Sequence, residues 1–306
     1  MAVQVKNRSI DIGVCTFRRP ELADTLRSLA AMEMPEGFDI SVIVADNDDT
    51  PSAQALVTAL SQELALPVRY RHAPARNISV ARNACLDTST ADFVAFIDDD
   101  ETASAQWLAE LVATAETSGA EAVLGPVRAL YRADAPDWMR KGDFHSTLPV
   151  WVQGEIRTGY TCNVLLRMGA DSLRDRRFSL ARGQSGGEDT EFFDRMVRDG
   201  GRIAFAPEAW VEEVVPSARA AFSFKISRAC PPSWILRQCA RRCIRSAATR
   251  RGSIPSFQPS SSSTTPSRST SSARRSRSSR TPSSSSSATA SATRSCAGAR
   301  RRSTTS

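Results

Sequence analysis

The sequence predicts an α/β protein with a mostly parallel, Rossmann-like sheet flanked by helices, followed by a long segment of different composition. Short β-rich runs alternate with helical patterns through roughly the first two thirds of the 306 residues, the signature of βαβ units. Residues 93–97 are apolar at every position, as in a central strand covered on both faces, and they run into Asp98, Asp99 and Asp100. Beyond Gln258 there is no Val, Ile, Leu, Met, Phe, Trp or Tyr. A segment of that kind buries too little apolar surface to offset its ordering entropy, so disorder is expected there.

Residues 10–15 read as the first strand. Pro20 then opens a helix, because its missing N–H falls among the unpaired donors of a first turn, and Leu22, Leu26 and Leu29 share one face. Residues 40–45 form a second strand ending at Asp46, Asn47 and Asp48. Leu56, Leu60 and Leu64 mark a second helix by their spacing of four, residues 68–70 a third strand, and residues 79–86 a short helix ahead of the apolar strand 93–97. Trp107, Leu108, Leu111, Val112 and Ala115 line the next helix, with Gly119 as its C-terminal cap. Residues 123–131 read as one further strand and residues 134–158 as a polar connection. Residues 163–167 form a strand, and residues 188–199 a helix with Phe192, Phe193, Met196 and Val197 inward, closed by Gly200 and Gly201. Residues 203–206 make a last short strand.

The formal net charge of +7 is unevenly placed. From Val214 onward there are 18 Lys or Arg and no acid, whereas residues 1–213 carry 22 basic and 33 acidic side chains. The basic balance therefore belongs to the tail and says nothing about the partners of the folded part. Seven cysteines form no CxxC pair and have no histidine at zinc spacing, which points to a reduced, cytoplasmic setting. The N-terminus lacks the apolar core of a signal peptide, and no run approaches the roughly 20 apolar residues of a membrane span.

Asp98, Asp99, Asp100 and Glu101 stand where an open α/β sheet puts its ligand, beyond the carboxyl ends of the strands. Four acids there repel one another, and a divalent cation resolves the conflict. Hard cations such as Mg²⁺ or Mn²⁺ take one or two carboxylates and complete their shell with phosphates and water, which suits a nucleotide diphosphate. A solvated acidic turn accounts for the cluster equally well if it stands alone.

It has company. Cys15, Thr16, Phe17, Arg18, Arg19 and Pro20 follow the first strand, Asp46, Asn47 and Asp48 end the second, and residues 77–83 precede the acidic strand with Ala81, Arg82 and Asn83. Gly186, Gly187, Glu188 and Asp189 open the helix at 188. Together these residues resemble the family 2 glycosyltransferases of the GT-A fold. The resemblance implies that Thr16, Phe17 and Asp46 hold the nucleoside, that Arg82 lies by the nucleotide, that Asp98 meets the ribose and that Asp100 binds the metal, Mg²⁺ or Mn²⁺. It further implies Asp189 as the general base for the acceptor hydroxyl and Glu188 as a residue that helps position the acceptor. In isolation, an acidic pair at a helix start is also ordinary capping. The dipole there favours the ionised form and lowers its basicity.

Two longer stretches, residues 142–151 and 154–163, narrow the resemblance to the glucosyltransferases of succinoglycan biosynthesis within that family. This implies transfer of glucose from UDP-glucose to a lipid-linked oligosaccharide at the cytoplasmic face of the inner membrane, with peripheral membrane association. No Gln-x-x-Arg-Trp pattern of processive synthases is present, which favours addition of a single sugar. His145, Trp151 and Tyr160 are weaker acceptor-side candidates; packing explains each equally well.

The expected organisation is a GT-A domain over residues 1–219, with a nucleotide-sugar half at about 1–130 and an acceptor half at about 131–219, then a Ser/Arg-rich tail at 220–306. A GC-rich gene read out of frame yields such a tail, so a frame shift near Ala220 is expected; the alternative is a real basic tail for nucleic acid or acidic lipid. Two other functions fit less well: a nucleotidyltransferase, for which the loop 15–19 has the charge but not the glycines, and a truncated, inactive transferase.

Overall fold

The structure is a computed structural model that describes residues 7–215. The segment 220–306, with the disorder and the frame shift expected of it, lies outside the described residues. The parallel half is built from β1 (Arg8–Thr16), α1 (Leu22–Ala31), β2 (Phe38–Asp46), α2 (Gln54–Glu63), β3 (Val68–His72), α3 (Ile78–Thr88) and β4 (Phe93–Asp98). There follow β5 (Glu101–Ala103), α4 (Trp107–Ser118), β6 (Ala122–Leu124), β7 (Val127–Tyr131), α5 (Asp137–Gly142), β8 (Trp151–Val152) and β9 (Glu155–Ile156). The described chain closes with β10 (Asn163–Arg167), α6 (Glu188–Arg198), β11 (Ile203–Phe205) and β12 (Val211–Val215).

Seven strands form one mixed sheet in the order β11-β6-β10-β4-β1-β2-β3. The strands β4, β1, β2 and β3 are parallel, and β10 is antiparallel to both β4 and β6. Period-two alternation sends successive side chains to opposite faces. Ile10, Ile12, Val14, Val42, Val44, Phe93, Ala95 and Ile97 pack with α1, α2 and α4. Ile43, Ala45, Val94 and Phe96 pack with α3 and α6, whose Cys85, Phe192, Phe193 and Met196 are buried. The helices thus cover both faces, which is why 93–97 reads as unbroken apolar sequence.

Residues 123–131 are two strands rather than one. Gly125 and Pro126 divide them: Pro126 has no N–H for the ladder, and a Cβ on Gly125 would lie 2.1 Å from the Ala209 carbonyl oxygen. The chain therefore leaves the main sheet after β6 and enters a second sheet, in the order β5-β12-β7, in which β12 runs parallel to β7 and antiparallel to β5. The polar connection 134–158 contains α5 and the hairpin β8–β9. The strands β5, β8, β9 and β12 are too short, or too mixed in pattern, to stand out in the sequence. Among the described residues, no helix is long and apolar enough to cross a membrane.

Candidate active site

Three parallel strands end level with one another. Thr16 of β1 is in register with Asp46 of β2, and Cys15 with Asp98 of β4, so the three motifs of the sequence meet along one sheet edge.

Asp46 is completely buried. Its Oδ1 accepts the Asp48 N–H at 3.0 Å, and its Oδ2 accepts the Ala53 N–H and the Tyr70 hydroxyl, both at 2.8 Å. It organises the loop after β2. Asp48 in turn receives Arg18 through two bonds of 2.8 Å, and that guanidinium holds its carboxyl well below the usual range. Phe17 is half-buried, with the Arg18 guanidinium 5.2 Å from its ring centre.

The acidic turn after β4 is held from within. The Asp98 N–H donates to Glu101 Oε2 at 3.0 Å, and the Thr25 hydroxyl donates to the Glu101 carbonyl at 2.7 Å. Glu101 is 2% exposed and directly paired across the second sheet with Glu213. Burial pushes the Asp98 carboxyl up to about 6; Arg82 opposes this, while Asp100, Glu213 and Asp189 add to it. Burial likewise pushes Asp99 up to about 7 against the neighbouring Thr16 hydroxyl, and Glu101 well above its ordinary value. Asp99 Oδ2 is buried with no well-formed hydrogen bond. Arg82 and Arg19 are the cations beside this group of acids.

Two arrangements bear on a cation. Asp98, Glu101 and Cys162 each place a ligand atom within 4.8 Å of the others. The oxygens of this group suit a hard cation and the thiol does not. Asp100 stands outside it and is paired with Arg19, Nη1 to Oδ2 at 3.0 Å, while Arg19 Nε lies 3.9 Å from Asp99 Oδ1.

The remaining groups come from two helix starts. Asn77 caps α3 by accepting the Ser79 N–H at 3.0 Å, and the buried Arg82 lies about one turn into that helix. Gly186 and Gly187, at φ 85° and 87°, take the left-handed turn that leads into α6. Glu188 there forms an ion pair with Arg82, and both side chains are nearly buried. Glu188 Oε2 is buried without a partner. Asp189 accepts the Thr190 N–H at 2.6 Å, and burial raises its pKa, with Arg82 opposing and Glu188 adding. Arg82, Asp98, Glu188 and Asp189 therefore share one electrostatic neighbourhood, although they come from three elements.

The weaker candidates have structural partners. The His145 N–H donates to the Tyr131 hydroxyl at 3.2 Å, and the two rings meet edge-on at 5.7 Å. The Tyr160 hydroxyl donates to the Gly125 carbonyl at 2.7 Å. Trp151, on the hairpin, is 56% exposed. Arg19, Cys162 and Glu213 were not singled out as site residues from the sequence. The charge of Arg19 was visible in the loop after β1, whereas Glu213 reaches the site through strand register alone.

A GT-A sheet with an acidic turn, a buried arginine and a carboxylate pair at a helix start defines a class of enzyme, the sugar-nucleotide transferases. The chain belongs to glycosyl transferase family 2, whose family model matches residues 11–173, just over half of its length. It is a glycosyltransferase. Over 219 residues it is 64% identical to the succinoglycan biosynthesis protein ExoM of Rhizobium meliloti (strain 1021), a match covering 72% of this chain and 71% of that protein. Among solved structures, it resembles S. aureus TarS 1-349 in complex with UDP, with a TM-score of 0.53, 20% identity, and coverage of 68% of this chain and 60% of that one. The same TarS segment in complex with UDP-GlcNAc gives a TM-score of 0.53 at 18% identity, covering 78% and 66%. The chain spans less than two thirds of these two solved chains. At that identity the likeness concerns the fold.

Proposed function

We propose that this chain catalyses an inverting, metal-dependent transfer of one sugar, glucose from UDP-glucose, to a lipid-linked oligosaccharide during synthesis of a succinoglycan-type exopolysaccharide. The observation that carries the reading is the meeting of Arg82, Asp98, Glu188 and Asp189 at the strand ends, in a chain 64% identical to ExoM. Thr16 and Phe17 border the nucleoside, and Asp46 shapes the loop beside it. Asp98 takes the ribose.

Mg²⁺ or Mn²⁺ fits this turn, because burial raises the pKa values of Asp98 and Asp99 among neighbouring acids and Asp99 Oδ2 has no well-formed hydrogen bond. Asp100 would hold it, and it would supply neutralisation of the charge on the departing nucleoside diphosphate. Arg82 adds a fixed positive charge on the same side, held in place by Glu188. Asp189, with its pKa raised by burial, takes the proton from the acceptor hydroxyl, whose oxygen attacks the anomeric carbon and inverts it. The exposed indole of Trp151 is available to stack on acceptor sugars, with His145 and Tyr160 shaping that side. The reaction belongs to the cytoplasmic face of the inner membrane, where the enzyme associates peripherally.

The test is a screen of the purified chain against nucleotide sugars, with Mn²⁺, Mg²⁺ or EDTA, read as binding and as transfer. UDP-glucose should bind in a cation-dependent way. Binding of no UDP-sugar under any of these conditions would overturn the reading.

A further inference from the structure

The acidic turn already carries a cation of its own chain. Arg19 lies on the loop between β1 and α1, with its Nη1 3.0 Å from Asp100 Oδ2 and its Nε 3.9 Å from Asp99 Oδ1. The side chain is 28% exposed and Asp100 is 24% exposed, so the pair is neither sealed in the core nor fully screened. The preceding residue cannot take this place. Arg18 has a left-handed backbone, φ 56°, and its guanidinium is fixed on Asp48 by two bonds, so the two consecutive arginines diverge to different strand ends.

Asp100 is the carboxylate assigned to the metal, and this inference rests on that assignment. A guanidinium and a divalent cation at one carboxylate repel each other, so each weakens the other's hold on Asp100. The planar fork that matches a carboxylate matches phosphate oxygens equally well. We propose that Arg19 competes with the divalent cation for Asp100 and, once displaced, pairs with the diphosphate of the donor. Cation and nucleotide then bind as a linked pair. Each makes the other's binding tighter by the same factor, because both favour the arrangement in which Arg19 has left Asp100. Arg19 is thus a donor-binding residue whose second role is to keep the acidic turn paired until the nucleotide arrives.

The experiment titrates the purified full chain with Mn²⁺, following the free ion by electron paramagnetic resonance, with and without UDP. Without UDP, Arg19→Ala should bind Mn²⁺ about fivefold more tightly or better, the effect of losing one partly exposed ion pair. Arg19→Lys, which keeps the charge, should stay close to the parent chain. With saturating Mn²⁺, UDP affinity should fall in Arg19→Ala by about tenfold, as expected for one lost charge-assisted contact. Asp100→Asn should lose Mn²⁺ binding on either background. A folded Arg19→Ala variant with unchanged or weaker Mn²⁺ affinity in the absence of UDP would overturn the proposal, even if the parent chain binds UDP in a Mn²⁺-dependent way. Failure of every variant and of the parent to bind Mn²⁺ or UDP would instead overturn the donor-site reading, and this proposal with it.

Discussion

At the start of α6 two effects act on Asp189 in opposite senses. The helix dipole favours the carboxylate and weakens it as a base, whereas burial disfavours the carboxylate; burial is the larger, and the pKa is raised. We expect kcat/KM to fall as pH drops through that raised value. Asp189→Asn should reduce kcat by roughly 10²- to 10⁴-fold while Mn²⁺-dependent UDP binding persists, measured by transfer assay and calorimetry on the same preparation. Retained turnover would remove Asp189 as the base. Arg82 and Glu188 test a different residue-scale term. Both side chains are nearly buried, so Arg82→Met leaves a buried carboxylate alone and should cost about 3–5 kcal/mol, seen as an earlier denaturant midpoint. Arg82→Met combined with Glu188→Leu should recover much of that loss. The sequence indicated all three residues through short motifs at strand and helix ends, but the ion pair joins residues 106 positions apart and was not legible there.

At the scale of elements, the turn between β4 and β5 sets a pH dependence. An unfolded aspartate loses its proton near pH 4, whereas burial pushes Asp98 and Asp99 up to about 6 and about 7 in the fold. The folded state therefore binds more protons across that window, and this contribution to stability is lost as pH rises through it. Asp99→Asn removes one such group. In EDTA, its thermal midpoint should fall less between about pH 5 and about pH 7.5 than that of the parent chain, and equal slopes would contradict the assignment. A second element-scale expectation concerns the break between β6 and β7. An added methyl at Gly125 meets the Ala209 carbonyl at 2.1 Å and Asn163 Nδ2 at 2.4 Å, where the Asn163 amide also donates to the carbonyls of Pro126 and Ala209. Neither contact is the free end of a flexible side chain. Gly125→Ala should therefore cost about 1–3 kcal/mol or more, read by thermal melting. The sequence pattern ran one strand straight through this point, because the apolar residues continue on both sides of Gly125 and Pro126.

For the whole molecule, the described residues hold core layers on both faces of the main sheet, and β12 lies between β5 and β7 in the second. A chain cut after Arg219 should accordingly melt cooperatively and keep Mn²⁺-dependent UDP binding. Loss of a cooperative transition would show that residues 220–306 contribute to the core. The 219 residues aligned with ExoM are 64% identical, so substitutions transferred between the two proteins within the α/β body should act alike.

The sequence by itself determined the α/β class, the order of most large elements and the position of the acidic turn, because each depends on periodicity or punctuation within a window of a few residues. It also carried the family, in motifs spread over five strand and helix ends. Only the tertiary structure decided that Asp46 accepts bonds from its own loop and from Tyr70 of β3, that Glu213 faces Glu101 across a second sheet, and that Arg19 rather than Arg18 reaches Asp100. These depend on strand register and on the handedness of single backbone positions. Such features join residues far apart in the chain and leave no local signature.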